Sequence, residues 1–479
     1  MSGTSVFTDT GLTSSSPQSK AQAVEKTLGI VWLYPQFRID PLPKAEVRLG
    51  RGAGSDLRLE GQQTSRNHCI IQRRPNGFVV RDSNSKNGTR VNGRNVIEGP
   101  FSEQDVLRVG DWIGVLTALS PLQIATGNPC PNLGSGLFGA HAIAAALDLV
   151  QRAARTDLSL MLVGETGTGK EVFARRVHEL SERRGQHVAV NCAALPAQMA
   201  EGELFGYRKG AFTGADRPNM GHLRSAHNGT LFLDEVPDLD PQVQVKLLRA
   251  LEEKAVVPLG QSTSEPANVR LVCASHLPLH DYVERGTFRP DLYGRLNGLE
   301  ISIPALRQRR EEIIPHLLRV LQQQDSALCE GTQRELFSAE FVEQLCIYDW
   351  PQNVREVVQL AARTLALHGH VLRSISAQQG APSLSLQHLP ARIATFSRDG
   401  EPAPQAARNR EGGPASDPAD LAPRDLLAKQ LAEALRLCEG NVSVAAKSLG
   451  ISRPMAYRLM KRLPELDPEA LRLQGFLDS

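Results

Sequence analysis

A glycine-rich segment, GETGTGKE, follows the apolar string LSLMLV and leads into a helical pattern, EVFARRVHELS. A strand, then G-x-x-x-x-G-K, then a helix is the context that a phosphate-binding loop requires. Glycines let backbone N–H groups curl around the phosphates, and the helix N-terminus adds partial positive charge. The segment therefore predicts an ATP site, with the lysine reaching the β- and γ-phosphates. Its predicted nucleotide-binding residues are Gly164, Glu165, Thr166, Gly167, Thr168, Gly169, Lys170 and Glu171.

A second apolar string, GTLFLDE, ends in two acids farther along the chain. Asp234, at the end of this predicted strand, can hold Mg²⁺, and Glu235 can polarise the water that attacks the γ-phosphate. No Ser or Thr follows Lys170, where such a loop usually supplies a magnesium ligand. Mg²⁺ then depends on Thr168 or on the downstream carboxylates, and the sequence leaves that choice open. Together the two strings predict an ATPase.

The segment GYRKGAFTGA places one aromatic residue, Phe212, between glycines. An exposed Phe offers a large apolar contact. Gly210 and Gly214 allow backbone geometry that other residues resist. A Phe that simply packed into the domain core would not need glycines on both sides. The segment therefore predicts a loop that presents Phe212 to a partner.

The composition is that of several globular domains rather than one. The chain has 479 residues, of which 41% are hydrophobic and 22% charged. A net charge of +2 excludes a globally basic coat protein, so contact with nucleic acid must come from a local patch. Seven scattered cysteines without a C-x-x-C pair argue against disulfides or zinc and predict a reducing, cytoplasmic location. No apolar run reaches the roughly 18 residues of a membrane span, and the N-terminus lacks the layout of a signal peptide.

The sequence changes character along the chain. Over 27–120, short apolar strings broken by Gly, Asn and Asp predict an all-β sandwich. Over 137–396, alternating helical and strand patterns predict a parallel α/β sheet. Residues 424–479 read as helical. Composition predicts a disordered Ser/Thr-rich tail and two linkers, over 1–26, 121–136 and 397–423.

The central segment resembles the AAA+ ATPases of bacterial enhancer-binding proteins, the activators of sigma-54 RNA polymerase. The strings NCAAL, GELFGYRKGAFTGA, GTFRPDLYGRLN and WPQNVRE carry the resemblance. It implies a helical lid and a homo-oligomer that closes into a hexameric ring. Gln352 replaces the usual Gly of the last string, and little consequence is expected.

The resemblance also assigns roles to residues. Asn191 would sense nucleotide and hold the catalytic Glu235. Ser275 and His276 occupy the position of the first sensor, and Arg355 is the arginine of the second. Two further arginines would act on the nucleotide of the neighbouring subunit, so a monomer should be nearly inactive. These arginines are Arg289 and Arg295. The alternative is that both are only surface charges.

For the GAFTGA loop the resemblance implies direct contact with sigma-54 when ATP is bound. The residues that would form this contact are Gly210, Ala211, Phe212, Thr213, Gly214 and Ala215.

The N-terminal strings RLGRGAGSDLRL, TSRNHC and DSNSKNGTRVNG resemble, in order and spacing, the forkhead-associated (FHA) domain. The resemblance implies an eleven-stranded sandwich whose loops bind a phosphothreonine peptide, with His68 bracing those loops. An Arg together with hydroxyl donors suits a dianion. The implied peptide-binding residues are Arg51, Ser65, Arg66, Lys86 and Asn87. The alternative is a sandwich that kept the skeleton and lost binding.

This domain indicates a Ser/Thr kinase as input, in place of the receiver domain common in this family. A further hypothesis is that the domain reads a phosphorylated threonine in the chain's own N-terminal tail. The candidate threonines are Thr4, Thr8, Thr10 and Thr13.

The C-terminal string NVSVAAKSLGISRPMAYRLMKRL has the pattern of a helix-turn-helix, with Gly450 at the turn. It resembles the Fis-type DNA-binding domain, which implies dimers on inverted repeats. Basic residues without any acid form the expected phosphate footprint. The candidate DNA-binding residues are Lys447, Arg453, Met455, Tyr457, Arg458, Lys461 and Arg462. A small structural helical cap is the alternative.

These predictions combine into one function: an enhancer-bound activator that uses ATP to remodel sigma-54 RNA polymerase under phosphothreonine control. The alternative is a DNA-bound regulator that senses phosphopeptide and nucleotide without touching sigma-54. The intact GAFTGA string favours the first. The sequence does not indicate whether the phosphopeptide activates or represses.

Overall fold

The computed structural model describes residues 27–42, 44–75, 77–134, 136–324, 336–377 and 384–398, together with Val442. The predicted N-terminal tail and the seven candidate DNA-binding residues lie outside the described residues, as do the predicted second linker beyond Arg398 and the predicted helix-turn-helix apart from Val442. No helix in the described part of the chain is long and apolar enough to cross a membrane.

Residues 28–118 form a sandwich of two sheets, with strand orders β2-β1-β11-β10-β7-β8 and β4-β3-β5-β6-β9. Alternating side chains fill its core, where Trp32 meets Trp112 edge to face at 5.5 Å between ring centroids. The eleven strands are β1 Leu28–Tyr34, β2 Arg38–Pro41, β3 Glu46–Gly50, β4 Leu57–Arg58, β5 Cys69–Arg74, β6 Gly77–Asp82, β7 Thr89–Val91, β8 Arg94–Val96, β9 Glu98–Phe101, β10 Val106–Val109 and β11 Trp112–Ala118.

The segment predicted as a linker over 121–136 begins with a helix, α1 Pro121–Thr126. Ser120 accepts a hydrogen bond from the backbone of Gln123, whose side chain bonds back to the backbone of Ser120. This capping box satisfies two backbone donors that a helix start leaves free. The segment predicted as a linker therefore contains a capped helix, and its role as a linker stays a prediction.

The central domain contains a five-stranded parallel sheet with strand order β13-β14-β17-β12-β18. Its strands are β12 Leu160–Val163, β13 His187–Asn191, β14 Thr230–Asp234, β17 Arg270–Ser275 and β18 Leu299–Ser302, and a separate hairpin pairs β15 Ala255–Val256 with β16 Glu265–Pro266. Helices cover the sheet: α2 His141–Ala153, α3 Lys170–Leu180, α4 Ala197–Phe205, α5 His222–Ser225, α6 Pro241–Glu253, α7 Leu279–Glu284 and α8 Pro290–Leu296.

A group of helices follows β18 and is called the lid here. It contains α9 Ile313–Gln324, α10 Ala339–Ile347, α11 Asn353–Ala377 and α12 Ala391–Ala394. A short 3₁₀ turn, Arg310–Glu312, leads into α9. Helix α11 packs along α9, and α10 packs across β1, β10 and β11 of the sandwich. The lid therefore packs directly against the sandwich.

Candidate functional site

The glycine-rich loop leaves the end of β12 and closes on the N-terminus of α3. Gly167 and Gly169 have φ of +80° and +103°, a region that favours glycine. The ammonium group of Lys170 donates to the carbonyl of Gly164 at 2.9 Å. The loop thus has the backbone shape and the cation that a nucleotide phosphate needs.

Asp234 and Glu235 lie at the carboxyl end of β14, beside the phosphate-binding loop. Glu235 Oε1 is 3.4 Å from the Nζ atom of Lys170, and its Oε2 is 3.0 Å from Nδ1 of His276. Burial raises the pKa of Asp234, and the positive charge of Lys170 opposes this rise. The strands therefore bring together Lys170, Asp234, Glu235 and His276.

Tyr282, on α7, is a site residue that the sequence reading missed. Its hydroxyl lies 3.0 Å from Nε2 of His276. The Glu235 carboxylate, the His276 ring and the Tyr282 phenol form a continuous polar chain. Because α7 is a short helix without a motif, its tyrosine carried no signal in the sequence.

An ion pair joins the phosphate-binding loop to the start of the lid. The Arg307 guanidinium donates to both carboxylate oxygens of Glu165, at 2.5 and 2.8 Å. The Asn353 side chain also donates to Glu165, at 3.2 Å. The hydrogen bond from Arg307 is the main reason that the pKa of Glu165 lies below its ordinary value. Sequence reasoning placed Glu165 in the loop but missed both partners.

The lid also contacts the phosphate-binding loop through the segment that carries the predicted second sensor, Arg355. A side chain at Gly167 would lie 2.1 Å from the carbonyl oxygen of Gln352 and 3.0 Å from Cβ of Arg355. The backbone N–H of Val354 donates to the carbonyl of Gly167 at 3.0 Å. Arg355 therefore stands beside the loop, where a sensor of bound nucleotide would be placed.

Other predicted site residues have local partners in this structure. The Asn191 side chain accepts from the backbone of Ala193 at 3.0 Å, while Glu235 pairs with Lys170 and His276. A contact between the side chains of Asn191 and Glu235 therefore stays a prediction. Glu171 lies 3.5 Å from Arg175 one turn along α3. Ser275 is buried, and its carbonyl accepts from the backbone of Gly164.

The two arginines predicted to act on the nucleotide of a neighbouring subunit make hydrogen bonds within their own domain. The Arg289 guanidinium pairs with Asp291 at 2.7 Å, and Arg295 donates to the carbonyl of Leu251 at 3.2 Å. Both side chains are exposed. Exposed guanidinium groups on α8 and at its N-cap suit a contact with another subunit.

The oxygen donors at this edge of the sheet suit Mg²⁺, a hard cation. Asp234 offers carboxylate oxygens, and the Thr168 hydroxyl keeps lone pairs while donating to the carbonyl of Glu165 at 2.8 Å. The described residues contain no cluster of three or more His, Cys, Asp or Glu arranged for a metal. A magnesium ion bound with a nucleotide needs only one or two protein carboxylates, because phosphate oxygens and waters complete its shell.

The GAFTGA loop is a tight turn that holds Phe212 at the surface. The N–H of Gly210 donates to the carbonyl of Ala215 at 2.9 Å, and both loop glycines have positive φ. Phe212 is 43% exposed, and its ring meets that of Tyr207 at 5.0 Å between centroids. Phe212 is therefore not part of the core. A cavity of about 260 Å³ lies beside it, lined among others by Met199, Tyr207 and Leu259.

The predicted phosphopeptide residues lie on neighbouring loops of the sandwich. Arg51 and Ser65 are joined by a backbone hydrogen bond of 3.0 Å, and Ser65 Oγ accepts from the backbone of Lys86 at 3.0 Å. The Asn87 amide donates to the carbonyl of Gln63. The guanidinium and ammonium groups of Arg51, Arg66 and Lys86 belong to exposed side chains. This arrangement offers cations and a hydroxyl to a phosphate.

Buried His68 braces these loops. Its Nδ1 accepts from the backbone N–H of Ser65 at 3.0 Å, so Nε2 donates to the carbonyl of Gly88 at 3.1 Å. Burial lowers the pKa of His68, which favours this neutral form.

Comparison with known proteins places these features in a family. Residues 137–302 match the sigma-54 interaction domain, and residues 47–114 match the FHA domain. The pathogenicity locus probable regulatory protein HrpR of Pseudomonas syringae pv. syringae is 42% identical over 220 residues, which are 46% of this chain and 69% of HrpR. The chain belongs to the family of regulators with a sigma-54 interaction domain. That domain is an AAA+ ATPase domain.

Two further relatives show how far the similarity extends. The phenol regulator MopR of Acinetobacter guillouiae is 40% identical over 324 residues, which are 66% of this chain and 54% of MopR. The chain thus spans about half the length of that relative. The crystal structure of NtrX from Brucella abortus in complex with ATP superposes with a TM-score of 0.46 at 26% identity, over 68% of each chain.

Proposed function

We propose that this protein is an ATP-dependent transcriptional activator that remodels sigma-54 RNA polymerase. The observation that carries the proposal is that one domain holds both a phosphate-binding loop and an exposed Phe212 on a glycine-hinged loop. Hydrolysis at the first would move the second against sigma-54. The whole GAFTGA segment, 210–215, is proposed as the contact.

The residues of the ATP site have distinct roles in this proposal. Lys170 binds the β- and γ-phosphates. Asp234 and Thr168 would hold Mg²⁺, which when bound would neutralise phosphate charge. Glu235 orients and deprotonates the attacking water. His276, 3.0 Å from the Glu235 carboxylate, positions that carboxylate. Ser275 and His276 act as first sensor, and Asn191 and Arg355 report on the nucleotide.

The active form is proposed to be a ring, hexameric in its complete state. Arg289 and Arg295 of one subunit would stabilise the γ-phosphate bound to its neighbour. Their exposed positions at the N-cap and in the last turn of α8 support this proposal, because neither is needed to fill the core of its own domain.

The FHA domain is proposed to bind a phosphothreonine protein or the chain's own phosphorylated tail. Arg51, Ser65, Arg66, Lys86 and Asn87 would hold the phosphate and the peptide backbone. The support is the convergence of exposed cations and the Ser65 hydroxyl on neighbouring loops. Segment 424–479 is proposed to bind enhancer DNA through its helix-turn-helix.

Transcription in a purified system tests the proposal. Full-length protein, ATP, sigma-54 RNA polymerase and a promoter from a binding site mapped by chromatin immunoprecipitation should give open complexes. Phe212→Ala should reduce them at least tenfold while ATP hydrolysis continues. Phe37→Ala is a matched control, since this sandwich residue is 38% exposed. Equal output from wild type and Phe212→Ala would instead indicate a regulator that does not push on sigma-54.

A further inference from the structure

One face of the FHA sandwich packs against the lid through β1, β10 and β11. In β1, Ile30 and Trp32 face the core of the sandwich, while Val31 and Leu33 belong to the hydrophobic cluster of the lid. This follows from the period of two in a strand. All four side chains have 0% exposure. Further members of the shared cluster are Ile113, Val115, Ile313, Leu317, Phe341 and Leu345.

Charged groups are also buried at this contact. The guanidinium of Arg108, on β10, donates to Glu343 at 2.7 Å and to Glu340 at 2.6 Å, both on α10. Glu343 and Arg108 are each less than a tenth exposed. Loosely tethered domains meet through small, more polar interfaces. A desolvated ion pair set in an apolar cluster requires a fixed geometry instead.

A short segment connects this interface to the phosphate-binding loop. The backbone N–H of Arg310 donates to Gln104 of the sandwich at 2.8 Å, and Glu311 accepts from Thr117 of β11 at 3.3 Å. The adjacent Arg309 donates to the carbonyl of Thr168 at 2.9 Å. Consecutive buried residues thus touch the sandwich on one side and the ATP site on the other.

The peptide-binding loops are connected to the same interface. Lys86 and Asn87 precede β7, whose Arg90 lies 3.4 Å from Glu343. After β7, Asn92 accepts from Arg398 at the end of the lid, at 2.6 Å. A displacement of the 83–88 loop would therefore act directly on side chains that hold α10.

We infer that the FHA sandwich and the lid form one rigid body, the sandwich–lid body. A phosphopeptide bound to the sandwich acts on the nucleotide site through β7, α10 and segment 309–312. The sandwich is then a fixed extension of the lid, and the peptide signal needs no reorientation of a tethered domain. The rigid body stands on the contacts above, whereas the peptide signal rests on the proposed function.

The first experiment tests the rigid body without any peptide. Unfolding of the full chain is followed by tryptophan fluorescence, with Trp32 and Trp112 reporting the sandwich in a Trp350→Phe background. Trp350 reports the lid in a Trp32→Phe/Trp112→Phe background. A non-hydrolysable ATP analogue should raise both midpoints by the same amount. If the analogue raises the unfolding midpoint of the lid but leaves that of the sandwich unchanged, the inference is overturned.

Charge reversal then breaks the contact. Arg108→Glu, which faces Glu340 and Glu343, should separate the two midpoints and remove the nucleotide response of the sandwich. Arg108→Glu/Glu343→Arg should restore a substantial part of both. Arg74→Glu, at the exposed end of β5, is the matched control and should behave as wild type. If Arg108→Glu folds and the unfolding midpoints of its sandwich and its lid still coincide, the inference is overturned.

Hydrogen exchange keeps the test decisive if Arg108→Glu does not fold. In wild-type protein, the ATP analogue should slow exchange of amides in β10 and β11 at least threefold. Unchanged exchange there, with slowing in α3, would overturn the rigid body.

The second experiment tests the path of the signal. A degenerate pool of phosphothreonine peptides, with its unphosphorylated counterpart, is added during ATP hydrolysis. Arg90→Met should bind the pool with an affinity within twofold of that of wild type. The pool should nevertheless change the hydrolysis rate of Arg90→Met by at most half as much as it changes that of wild type. A full effect in Arg90→Met and in Arg108→Glu would overturn the path. If wild type does not bind the pool, phosphothreonine input fails and the path with it, whereas the unfolding experiment still decides the rigid body.

Discussion

Replacing Glu311 by Gln should remove a loss of stability that the wild-type chain suffers as pH rises. The Glu311 carboxyl is wholly buried between the sandwich and the lid, where burial raises its pKa from 4.5 to about 7. In the unfolded chain the carboxyl regains its ordinary pKa, so the folded chain binds this proton more tightly. The stabilisation is complete below pH 4.5 and is lost as pH rises through about 7.

The size of this effect follows from the two pKa values. The difference between 4.5 and about 7 corresponds to about 3 kcal/mol as an upper bound. Gln resembles the protonated acid, because its amide oxygen can accept from Gln104 while its amide nitrogen donates to the Thr117 hydroxyl, whose oxygen can accept. Relative to wild type, Glu311→Gln should therefore gain up to about 3 kcal/mol of unfolding free energy between pH 4.5 and pH 8.

Urea unfolding measured at several pH values checks this. All three tryptophans, Trp32, Trp112 and Trp350, are buried in the sandwich or the lid, so their fluorescence reports the relevant region. Other groups titrate in both proteins and cancel in the difference. Glu98→Gln, at an exposed position of β9, is the control. A difference between Glu311→Gln and wild type that does not change from pH 5 to pH 8 would refute the reasoning.

Four further predictions concern the ATP site. Glu235→Gln should lower kcat by about 10²–10⁴-fold with nucleotide affinity retained, measured by phosphate release and fluorescent-nucleotide titration; unchanged kcat would contradict the role of the carboxylate. Arg295→Ala should abolish hydrolysis yet leave nucleotide binding largely intact, and a fully active variant would argue against the ring. Tyr282→Phe should lower kcat by less than about tenfold without changing KM, since one neutral hydrogen bond is worth about 1 kcal/mol; an effect on KM alone would place Tyr282 in binding. Gly167→Ala should weaken nucleotide binding more than tenfold, because its Cβ would lie 2.1 Å from the carbonyl of Gln352 at φ of +80°, and calorimetric affinity equal to wild type would contradict this.

The ATP site was largely predictable because its residues lie in contiguous strings. LSLMLVGETGTGKE and GTLFLDE each combine a strand with the groups at its end, and parallel strands bring such ends together. The pair Glu165–Arg307 was not predictable, since its residues are 142 positions apart. The pair His276–Tyr282 spans only six positions, but no motif marks the short helix that carries Tyr282. Their formation depends on how the lid and α7 pack, which no local pattern specifies.

The contact between sandwich and lid did have a signal in the sequence. Strand β1, LGIVWLY, is apolar at successive positions, whereas a strand with one face in water alternates apolar and polar residues. Such a run indicates cover on both faces. What covers it could not be read locally, because Arg108 meets Glu340 and Glu343 only after the domains fold together. The capping box of Ser120 and Gln123 was likewise readable from the sequence.

The central claim is that a bound nucleotide makes the loop around Phe212 engage sigma-54. The most direct measurement is capture of purified sigma-54 by the full-length protein with ADP and aluminium fluoride, which mimic phosphoryl transfer, compared with ADP alone. The account predicts capture by wild type only with aluminium fluoride, and at least tenfold less by Phe212→Ala that still traps the nucleotide. Equal capture by wild type and Phe212→Ala would contradict it.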